Sequence, residues 1–317
     1  MLILKFVIKT ENLTKKYDDL VAVNKLDLEV ETKTVHGFLG PNGAGKTTTI
    51  KMLVGLLKPD EGTIRVLDRD AVGDKPEMRL HLGYMAELPK FPKHLTGWEL
   101  LDIYGKMFGM TKQQRQEQLP RLFEIVGLKG REKDALGKYS KGMQQRLGIA
   151  QALLNAPELI ILDEPSLGLD PVGMVEVREL VKHVAKEGVT VFLSSHLLFE
   201  VQQVCTHATI IHEGIALTSD KLENISKKFA GPTKLLVEVS KLKKSIVESV
   251  KALPFVSWVA EKDNILTIKM KTSDDVRSQV SQVITKAGGV IVSMKVEGQS
   301  LEDVFVKLVK NKEGNRK

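Results

Sequence analysis

Apolar residues alternate with polar ones near the start of the chain and recur at helical spacing further on. Up to about residue 36 the alternation, as in Leu26 to Val30, predicts strands. A helix is expected from Lys46 to about Leu56. Between residues 98 and 156, apolar side chains such as Trp98 and Leu101 recur every three or four residues, which predicts a helical insert.

Two short apolar runs further along the chain predict buried strands. They are Leu159 to Leu162 and Val189 to Leu193, with a helical pattern from about Val172 to Glu187 between them. Continuous apolar strands joined by a helix are typical of a parallel sheet covered on both faces. A further apolar stretch, Ala208 to Ile211, is expected to close this α/β domain. We place the domain at residues 1–224, with the helical insert at about 88–156.

A second pattern begins after Asn224. The polar segment Ser226 to Pro232 predicts a linker. The βαββαβ order that follows is the ferredoxin-like one, so residues 225–317 are expected to form a small α+β domain. A last helix at Leu301 to Phe305 has Ser300 as its expected N-cap. The predicted strands are Lys234–Val239, Val256–Ala260, Ile265–Met270 and Val290–Val296, and the predicted helices are Ser245–Leu253 and Asp274–Ala287.

Length and composition narrow the class of protein. A chain of 317 residues favours two domains. Charged residues, Gly and Pro interrupt every apolar run well short of the roughly 18 residues that a membrane-spanning helix needs. Met1 to Val7 predicts a first strand and not a secretion signal, so we expect a cytosolic protein. The single cysteine, Cys205, is expected to be a packing residue.

Positive charge is concentrated in the C-terminal third. Residues 221–317 carry 19 Lys and Arg against 11 Asp and Glu, whereas residues 1–220 carry 28 against 29. A solvated Lys-rich face is favoured over nucleic-acid binding, because aromatic residues are sparse there and no RNA or DNA motif occurs. An anionic lipid surface near a membrane partner is a third interpretation.

A glycine-rich segment between a predicted strand and a predicted helix matches the pattern G-x-x-x-x-G-K-[ST]. Such a loop turns backbone N–H groups and a helix N-terminus toward phosphates. Lys46 is then expected to reach the β and γ phosphate oxygens, and Thr47 to ligate Mg²⁺. The candidate nucleotide-binding residues here are Gly40, Pro41, Asn42, Gly43, Ala44, Gly45, Lys46, Thr47 and Thr48.

Two acidic residues end the apolar run Leu159 to Leu162. Asp163 is expected in the Mg²⁺ shell, and Glu164 is placed to orient and activate an attacking water. Taken alone, an apolar strand ending in Asp-Glu is common, and the acids would serve as a helix cap before Pro165. The phosphate loop upstream favours the catalytic interpretation.

These motifs resemble those of the nucleotide-binding subunits of ABC transporters over about residues 3–218. Residues 139–143 (Tyr-Ser-Lys-Gly-Met) stand where that family has its signature, Leu-Ser-Gly-Gly-Gln. In the family, two subunits face head to tail, and the signature of one closes on the ATP held by the other. Ser140 and the amide of Gly142, at a helix N-terminus, are suited to donate hydrogen bonds to a γ-phosphate.

The resemblance implies roles for four further residues. His196 is similar to the family's switch histidine, which contacts the γ-phosphate, although a lone His at a strand end is also typical of a structural role. Tyr17 resembles the aromatic residue that stacks on adenine, with a place in the core as the alternative. Asp170 matches the loop through which the subunits touch. Glu87 stands where the family has a glutamine that touches Mg²⁺, and adds a negative charge beside the triphosphate.

Departures from the family signature point to a subgroup. Lys141 and Met143 replace a glycine and the glutamine, as in the type-2 exporter ATPases for drugs, sodium or polysaccharides. Leu301 to Phe305 is also similar to that group, with an ordinary amphipathic helix as the alternative. The resemblance implies an ATPase that binds ATP and Mg²⁺, forms a homodimer around ATP, and drives integral membrane permease subunits from the cytoplasmic face of the membrane.

Three other functions are compatible with a phosphate loop. A soluble ABC ATPase acting on ribosomes or nucleic acid usually has two cassettes or a long coiled coil, and the sequence predicts neither. Importer ATPases often carry an all-β C-terminal domain instead of a βαββαβ one. A small-molecule kinase would leave the Ser140 and His196 motifs unexplained. The transported substance, the membrane partner and the role of the C-terminal domain stay open.

Overall fold

The computed structural model describes residues 5–72, 76–229, 234–272, 274–297, 304–306 and 308–309. The chain divides into two compact units, Met1–Leu222 and Glu223–Lys317. Among the described residues, every helix is too short or too polar to cross a lipid bilayer.

The first unit contains ten strands and seven helices among its described residues. The strands are β1 (Phe6–Tyr17), β2 (Leu20–Glu31), β3 (Val35–Leu39), β4 (Glu61–Val66), β5 (Arg69–Asp70), β6 (Leu82–Met85), β7 (Leu159–Leu162), β8 (Thr190–Ser195), β9 (His207–His212) and β10 (Ile215–Lys221). The helices are α1 (Lys46–Leu53), α2 (Pro76–Leu80), α3 (Gly97–Met107), α4 (Lys112–Ile125), α5 (Lys141–Leu153), α6 (Pro171–Lys186) and α7 (Leu198–Val204).

A mixed six-stranded sheet forms the centre of this unit, in the order β10-β9-β3-β8-β7-β6. Strands β6, β7, β8, β3 and β9 are parallel, and β10 pairs antiparallel with β9. Every residue of β3, β7 and β8 is buried, which explains the continuous apolar runs Leu159 to Leu162 in β7 and Val191 to Leu193 in β8. A second, antiparallel sheet has the order β2-β1-β4-β5. The mixed α/β fold expected from the sequence is confirmed.

The parallel strands bring three motifs to one edge of the sheet. Leu39 at the end of β3 pairs with Ser195 at the end of β8, and Leu162 at the end of β7 pairs with Leu193. The residues that follow these strand ends therefore lie close together. This edge carries the start of the phosphate loop, the acidic pair and His196.

Helices α3, α4 and α5 form the helical segment between β6 and β7. Thr96 and Thr111 cap α3 and α4 through capping boxes with Glu99 and Gln114. Ser140 caps α5, because its Oγ accepts a hydrogen bond from the N–H of Met143 at 3.2 Å.

The second unit has two helices packed on a four-stranded antiparallel sheet. Its elements are α8 (Leu222–Phe229), β11 (Lys234–Val239), α9 (Lys244–Lys251), β12 (Val256–Lys262), β13 (Ile265–Met270), α10 (Arg277–Lys286) and β14 (Ile291–Glu297). The strand order is β12-β13-β11-β14. Side chains from α9 and α10, such as Val250 and Ile284, form a core with Leu235 and Ile268 of the sheet. Residues 304–306 and 308–309 are helical.

Several sequence predictions differ from the structure. The predicted linker is wrong for residues 226–229, which belong to α8. Leu222 and Ile225 begin an apolar stripe at helical spacing that the surrounding polar residues conceal. Helix α1 ends at Leu53 and not near Leu56, since Gly55 adopts a φ of +70°. Strands β4, β5, β6 and β10 were not predicted, and Ser300 to Asp303 lie outside the described residues.

Candidate nucleotide-binding site

The loop between β3 and α1 depends on glycine at two positions for different reasons. Gly45 adopts a φ of +100°, and a Cβ atom there would overlap the carbonyl oxygen of Ala22. Gly43 adopts a φ of +80°, but a Cβ atom there would meet nothing within 4 Å. Gly45 therefore allows a close approach of two backbone segments, whereas Gly43 allows only a left-handed turn.

This loop forms one wall of a cavity of about 710 Å³. A volume of this size is ordinary for a small-molecule site. The lining residues are Tyr17, Leu20, Val21, Ala22, Pro41, Asn42, Gly43, Ala44, Gly45, Lys46, Thr47, Thr48, Glu87, Glu164, Leu167, His196 and Glu213. A larger cavity of about 740 Å³ lies elsewhere in this unit, around His36 and His207, and contains none of the predicted site residues.

The ammonium group of Lys46 has three oxygen partners. Its Nζ donates hydrogen bonds to the carbonyl oxygens of Gly40 at 2.7 Å and Pro41 at 3.2 Å, and lies 3.1 Å from Oε1 of Glu164. The side chains of Lys46 and Glu164 are 6% and 8% exposed. A buried cation with oxygen partners on one side of a cavity is suited to bind a phosphate.

The carboxylate of Glu164 lies between Lys46 and His196. Its second oxygen, Oε2, is 2.8 Å from Nδ1 of His196. The backbone of Glu164 adopts a left-handed φ of +48°. The carboxylate of Glu164 touches both Lys46 and His196, so Glu164 is the centre of this polar cluster.

Asp163 lies beneath the cavity and not in its lining. Its Oδ1 accepts a hydrogen bond from the hydroxyl of Ser194 at 2.6 Å, and its Oδ2 is buried with no hydrogen-bond partner among the described residues. Burial raises the pKa of Asp163, while the hydrogen bond from Ser194 and the nearby hydroxyl of Thr47 act to lower it. A free carboxylate oxygen beside a threonine hydroxyl fits the hard oxygen ligands that Mg²⁺ prefers. Nowhere in the described ranges do three or more His, Cys, Asp or Glu side chains cluster as a metal site.

Apolar and aromatic side chains also line the cavity. Tyr17 ends β1 with its side chain 44% exposed, and Leu20 and Val21 follow it across the turn to β2. The Nζ of Lys15 lies 5.6 Å from the centre of the Tyr17 ring. An exposed aromatic ring next to aliphatic side chains offers a flat surface for a planar ligand.

Besides Asp163, four predicted site residues do not line this cavity. Ser140 and Asp170 are the N-caps of α5 and α6, where their side chains accept hydrogen bonds from Met143 and Gly173. Gly142 lies in the first turn of α5. Gly40 also lies outside the lining and contributes its carbonyl oxygen to Lys46.

Sequence reasoning missed several residues of the site. Leu20, Val21, Ala22, Leu167 and Glu213 line the cavity without having been predicted. Leu20 and Val21, two adjacent apolar residues at the start of β2 after the Asp18–Asp19 turn, were a usable signal, whereas nothing in the sequence around Glu213 marks it. Ser194, two residues before His196, was given no role from the sequence, although its hydroxyl touches both acidic residues.

Comparisons with known proteins find relatives among ATP-binding proteins of transporters. The ABC transporter family model matches residues 23–167. The bacitracin transport ATP-binding protein BcrA of Bacillus licheniformis is 38% identical over 304 residues, covering 96% of this chain and 97% of that protein. The Nod factor export ATP-binding protein I of Cupriavidus metallidurans is 36% identical over 215 residues, covering 68% of this chain and 71% of that protein.

Solved structures show the same fold in the larger unit. An ATP-binding subunit of an ABC transporter superposes with a TM-score of 0.64 at 30% identity, covering 70% of this chain and 93% of that one. The ATP-binding cassette MJ0796, solved as a dimer in a post-hydrolysis state with ADP and Pi, has a TM-score of 0.62 at 23% identity, covering 68% and 98%. The latter likeness concerns the fold alone.

Proposed function

Because the chain belongs to the ATP-binding proteins of ABC transporters, a family that hydrolyses ATP to power transport, we propose that it powers an exporter by ATP-dependent dimerisation. The observation that carries the proposal is the cavity in which the phosphate loop, Glu164 and His196 meet. An exporter is favoured because one relative is named for Nod factor export. BcrA, which resembles the chain over both units, is named for bacitracin transport.

Each side of the cavity has its own part in ATP hydrolysis. The ring of Tyr17 stacks on the adenine, and the N–H groups of the loop with Lys46 bind the phosphates. Glu164 accepts a proton from the attacking water, and His196, which touches Glu164 at 2.8 Å, contacts the γ-phosphate. The roles rest on the positions of these groups around one cavity.

The ion expected with ATP is Mg²⁺. Thr47 and Asp163 would hold it, with Glu87 at the cavity wall as a further oxygen donor. Bound there, Mg²⁺ supplies positive charge to the phosphate oxygens. The buried, unpartnered Oδ2 of Asp163 supports this assignment.

The signature residues act on a second copy of the chain. Ser140 and Gly142 lie at the N-terminus of α5, outside the cavity of their own chain, and helix N-termini favour anions. In a head-to-tail homodimer they contact the ATP of the partner, and Asp170 lies in the contact loop. The dimer works on integral membrane permease subunits at the cytoplasmic face of the membrane.

Residues 225–317 form an accessory domain of ferredoxin-like fold. The strand order β12-β13-β11-β14, with α9 and α10 as the connections, supports this assignment. The all-β extension expected of many importers does not fit this element order. An ATPase acting on nucleic acid is the alternative for the Lys-rich third of the chain, and RNA or DNA binding that weakens steeply with salt would favour it.

Sedimentation velocity of Glu164→Gln, with and without Mg-ATP, tests the proposal. The variant is expected to bind ATP and form a dimer, and Ser140→Ala in the same background is expected to remove the dimer. Thr111→Ala, which changes the N-cap of α4 at a distance from the signature, is the matched control and keeps the dimer. A monomer in every condition would overturn dimerisation of the isolated chain around ATP.

A further inference from the structure

Ser194 lies on β8 directly beside the acidic end of β7. Leu162 pairs with Leu193, so the next residues along the two parallel strands are Asp163 and Ser194. Ser194 is completely buried. Its side chain therefore faces a fixed set of neighbours and exchanges no hydrogen bonds with bulk solvent.

The hydroxyl of Ser194 connects the two acidic residues. It accepts a hydrogen bond from the backbone N–H of Glu164 at 2.8 Å and donates its own proton to Oδ1 of Asp163 at 2.6 Å. The directions are unambiguous, because an amide N–H can only donate and the hydroxyl has one proton to give. One oxygen atom thus holds the backbone of one acid and the carboxylate of the other.

The hydrogen bond that Ser194 donates to Oδ1 orients Asp163. With Oδ1 occupied by the hydroxyl, Oδ2 is the oxygen left without a partner among the described residues. The carboxylate cannot rotate about its Cβ–Cγ bond without losing a short, buried hydrogen bond, which is costly in a dry site. Ser194 therefore fixes the orientation of the Asp163 carboxylate and leaves one of its oxygens free for another ligand.

The hydrogen bond that Ser194 accepts from the N–H of Glu164 holds the backbone of Glu164 in an uncommon conformation. A φ of +48° is unfavourable for a residue with a side chain and persists only where surrounding groups fix it. The N–H of Glu164 donates to Ser194, and the carboxylate is held 3.1 Å from Lys46 and 2.8 Å from His196. The backbone bond therefore controls where the carboxylate points.

We propose that Ser194 is a positioning residue for ATP hydrolysis, which sets the free oxygen of Asp163 and the backbone of Glu164 through one hydroxyl. This role rests on the proposed ATPase function and adds a residue to it. A buried serine that only filled space would affect stability alone. A positioning serine affects turnover and the requirement for Mg²⁺ more than it affects ATP binding.

Ser194→Ala tests the proposal, since it removes the hydroxyl with little change in volume. The matched control is Thr190→Val, because Thr190 is a buried hydroxyl at the other end of β8 that accepts a backbone N–H, that of Lys33, at 2.9 Å. ATP affinity, kcat, the Mg²⁺ concentration for half-maximal ATPase activity and Tm are measured for each. Ser194→Thr retains a hydroxyl and serves as the conservative variant.

We expect Ser194→Ala to bind ATP within about threefold of the unchanged chain, to lose at least about tenfold in kcat and to need several times more Mg²⁺. Ser194→Thr is expected to regain part of the kcat, and Thr190→Val to keep both kcat and the Mg²⁺ requirement.

Unchanged kcat and Mg²⁺ requirement in folded Ser194→Ala would overturn the proposal. The proposal would also be overturned if Thr190→Val lost as much kcat as Ser194→Ala at the same loss of Tm. If instead the unchanged chain does not hydrolyse ATP, the proposed ATPase function itself fails.

Discussion

Lys46 and Glu164 form an ion pair, Nζ to Oε1 at 3.1 Å, in which both side chains are more than nine-tenths buried. The same lysine is expected to bind the phosphates of ATP, and the same carboxylate to activate water. A phosphate that binds Lys46 therefore has to compete with Glu164 for the ammonium group. We expect ATP binding to separate this pair and leave Glu164 with His196 as its neighbour.

The ion pair predicts strong energetic coupling between its members. Lys46→Met and Glu164→Gln each leave a buried partner without its counter-charge, which costs about 3–5 kcal/mol for each single change. The double variant is expected to lose less free energy of unfolding than the two single variants together. The difference, measured by urea unfolding, is a coupling energy of at least about 1 kcal/mol. The exposed pair Lys182–Glu179, at 2.9 Å, is the control, with an expected coupling below about 0.5 kcal/mol. Additive effects at Lys46 and Glu164 would contradict the pairing.

The two glycines of the phosphate loop are expected to differ in their tolerance of alanine. Gly43→Ala meets no atoms and costs only the left-handed conformation, about 1–2 kcal/mol. Gly45→Ala overlaps the carbonyl oxygen of Ala22 and is expected to cost at least about 2 kcal/mol more. Thermal unfolding and ATP binding of the two variants measure the difference. Equal effects would show that the loop does not depend on the approach of Gly45 to Ala22.

Tyr17 is expected to contribute to adenine binding and not to phosphate binding. Tyr17→Ala removes an exposed ring and is expected to weaken ATP binding about five- to tenfold, since stacking on a base contributes about 1–3 kcal/mol. Binding of inorganic tripolyphosphate, which has no base, is expected to stay unchanged, and Tyr17→Phe retains the ring as the control. An equal loss for both ligands would contradict the stacking role.

His36 is expected to make the fold sensitive to acid. Burial lowers the pKa of His36 to about 3, with the charge of His207 adding to the shift. Between about pH 6.5 and 3 the unfolded chain binds a proton that the folded chain does not, so the free energy of unfolding falls as the pH falls, by up to about 1.4 kcal/mol per pH unit.

Replacing His36 tests this linkage directly. His36→Phe keeps a ring next to Phe192, whose ring centre lies 5.8 Å from that of His36. In this variant the free energy of unfolding is expected to fall less between pH 6.5 and 4.5 than in the unchanged chain. Urea unfolding at several pH values measures the slope. The control His183→Gln changes an exposed histidine of α6 and is expected to retain the acid sensitivity of the unchanged chain. A slope that is the same in all three proteins would contradict the prediction for His36.

The sequence was sufficient to predict the parts of the site that follow buried strands. Continuous apolar runs predicted β7 and β8, and their carboxyl ends meet because parallel strands share an edge. This placed Glu164 and His196 beside the phosphate loop without knowledge of any contact. The specific contacts, Nδ1 of His196 to Oε2 of Glu164 among them, depend on rotamers and register that a motif does not contain.

Other parts of the molecule could not be predicted because their signals are weak or non-local. Strand β5 has two residues, and β4 alternates only over Ile64 to Val66, so each alternation is too short to predict a strand. Helix α8 conceals its apolar positions among polar residues. Leu20, Val21 and Glu213 reach the cavity only because separate segments of the chain converge there.

The most direct test of the account is to measure ATP binding and phosphate release on one preparation of Glu164→Gln. The account predicts that the variant binds Mg-ATP within about threefold of the unchanged chain, because Gln has the same shape and Lys46 remains. Phosphate release in a single turnover is predicted to fall by at least about a hundredfold, since the group that accepts the proton is gone. Phosphate release at the normal rate, with ATP bound, would contradict the central role of Glu164.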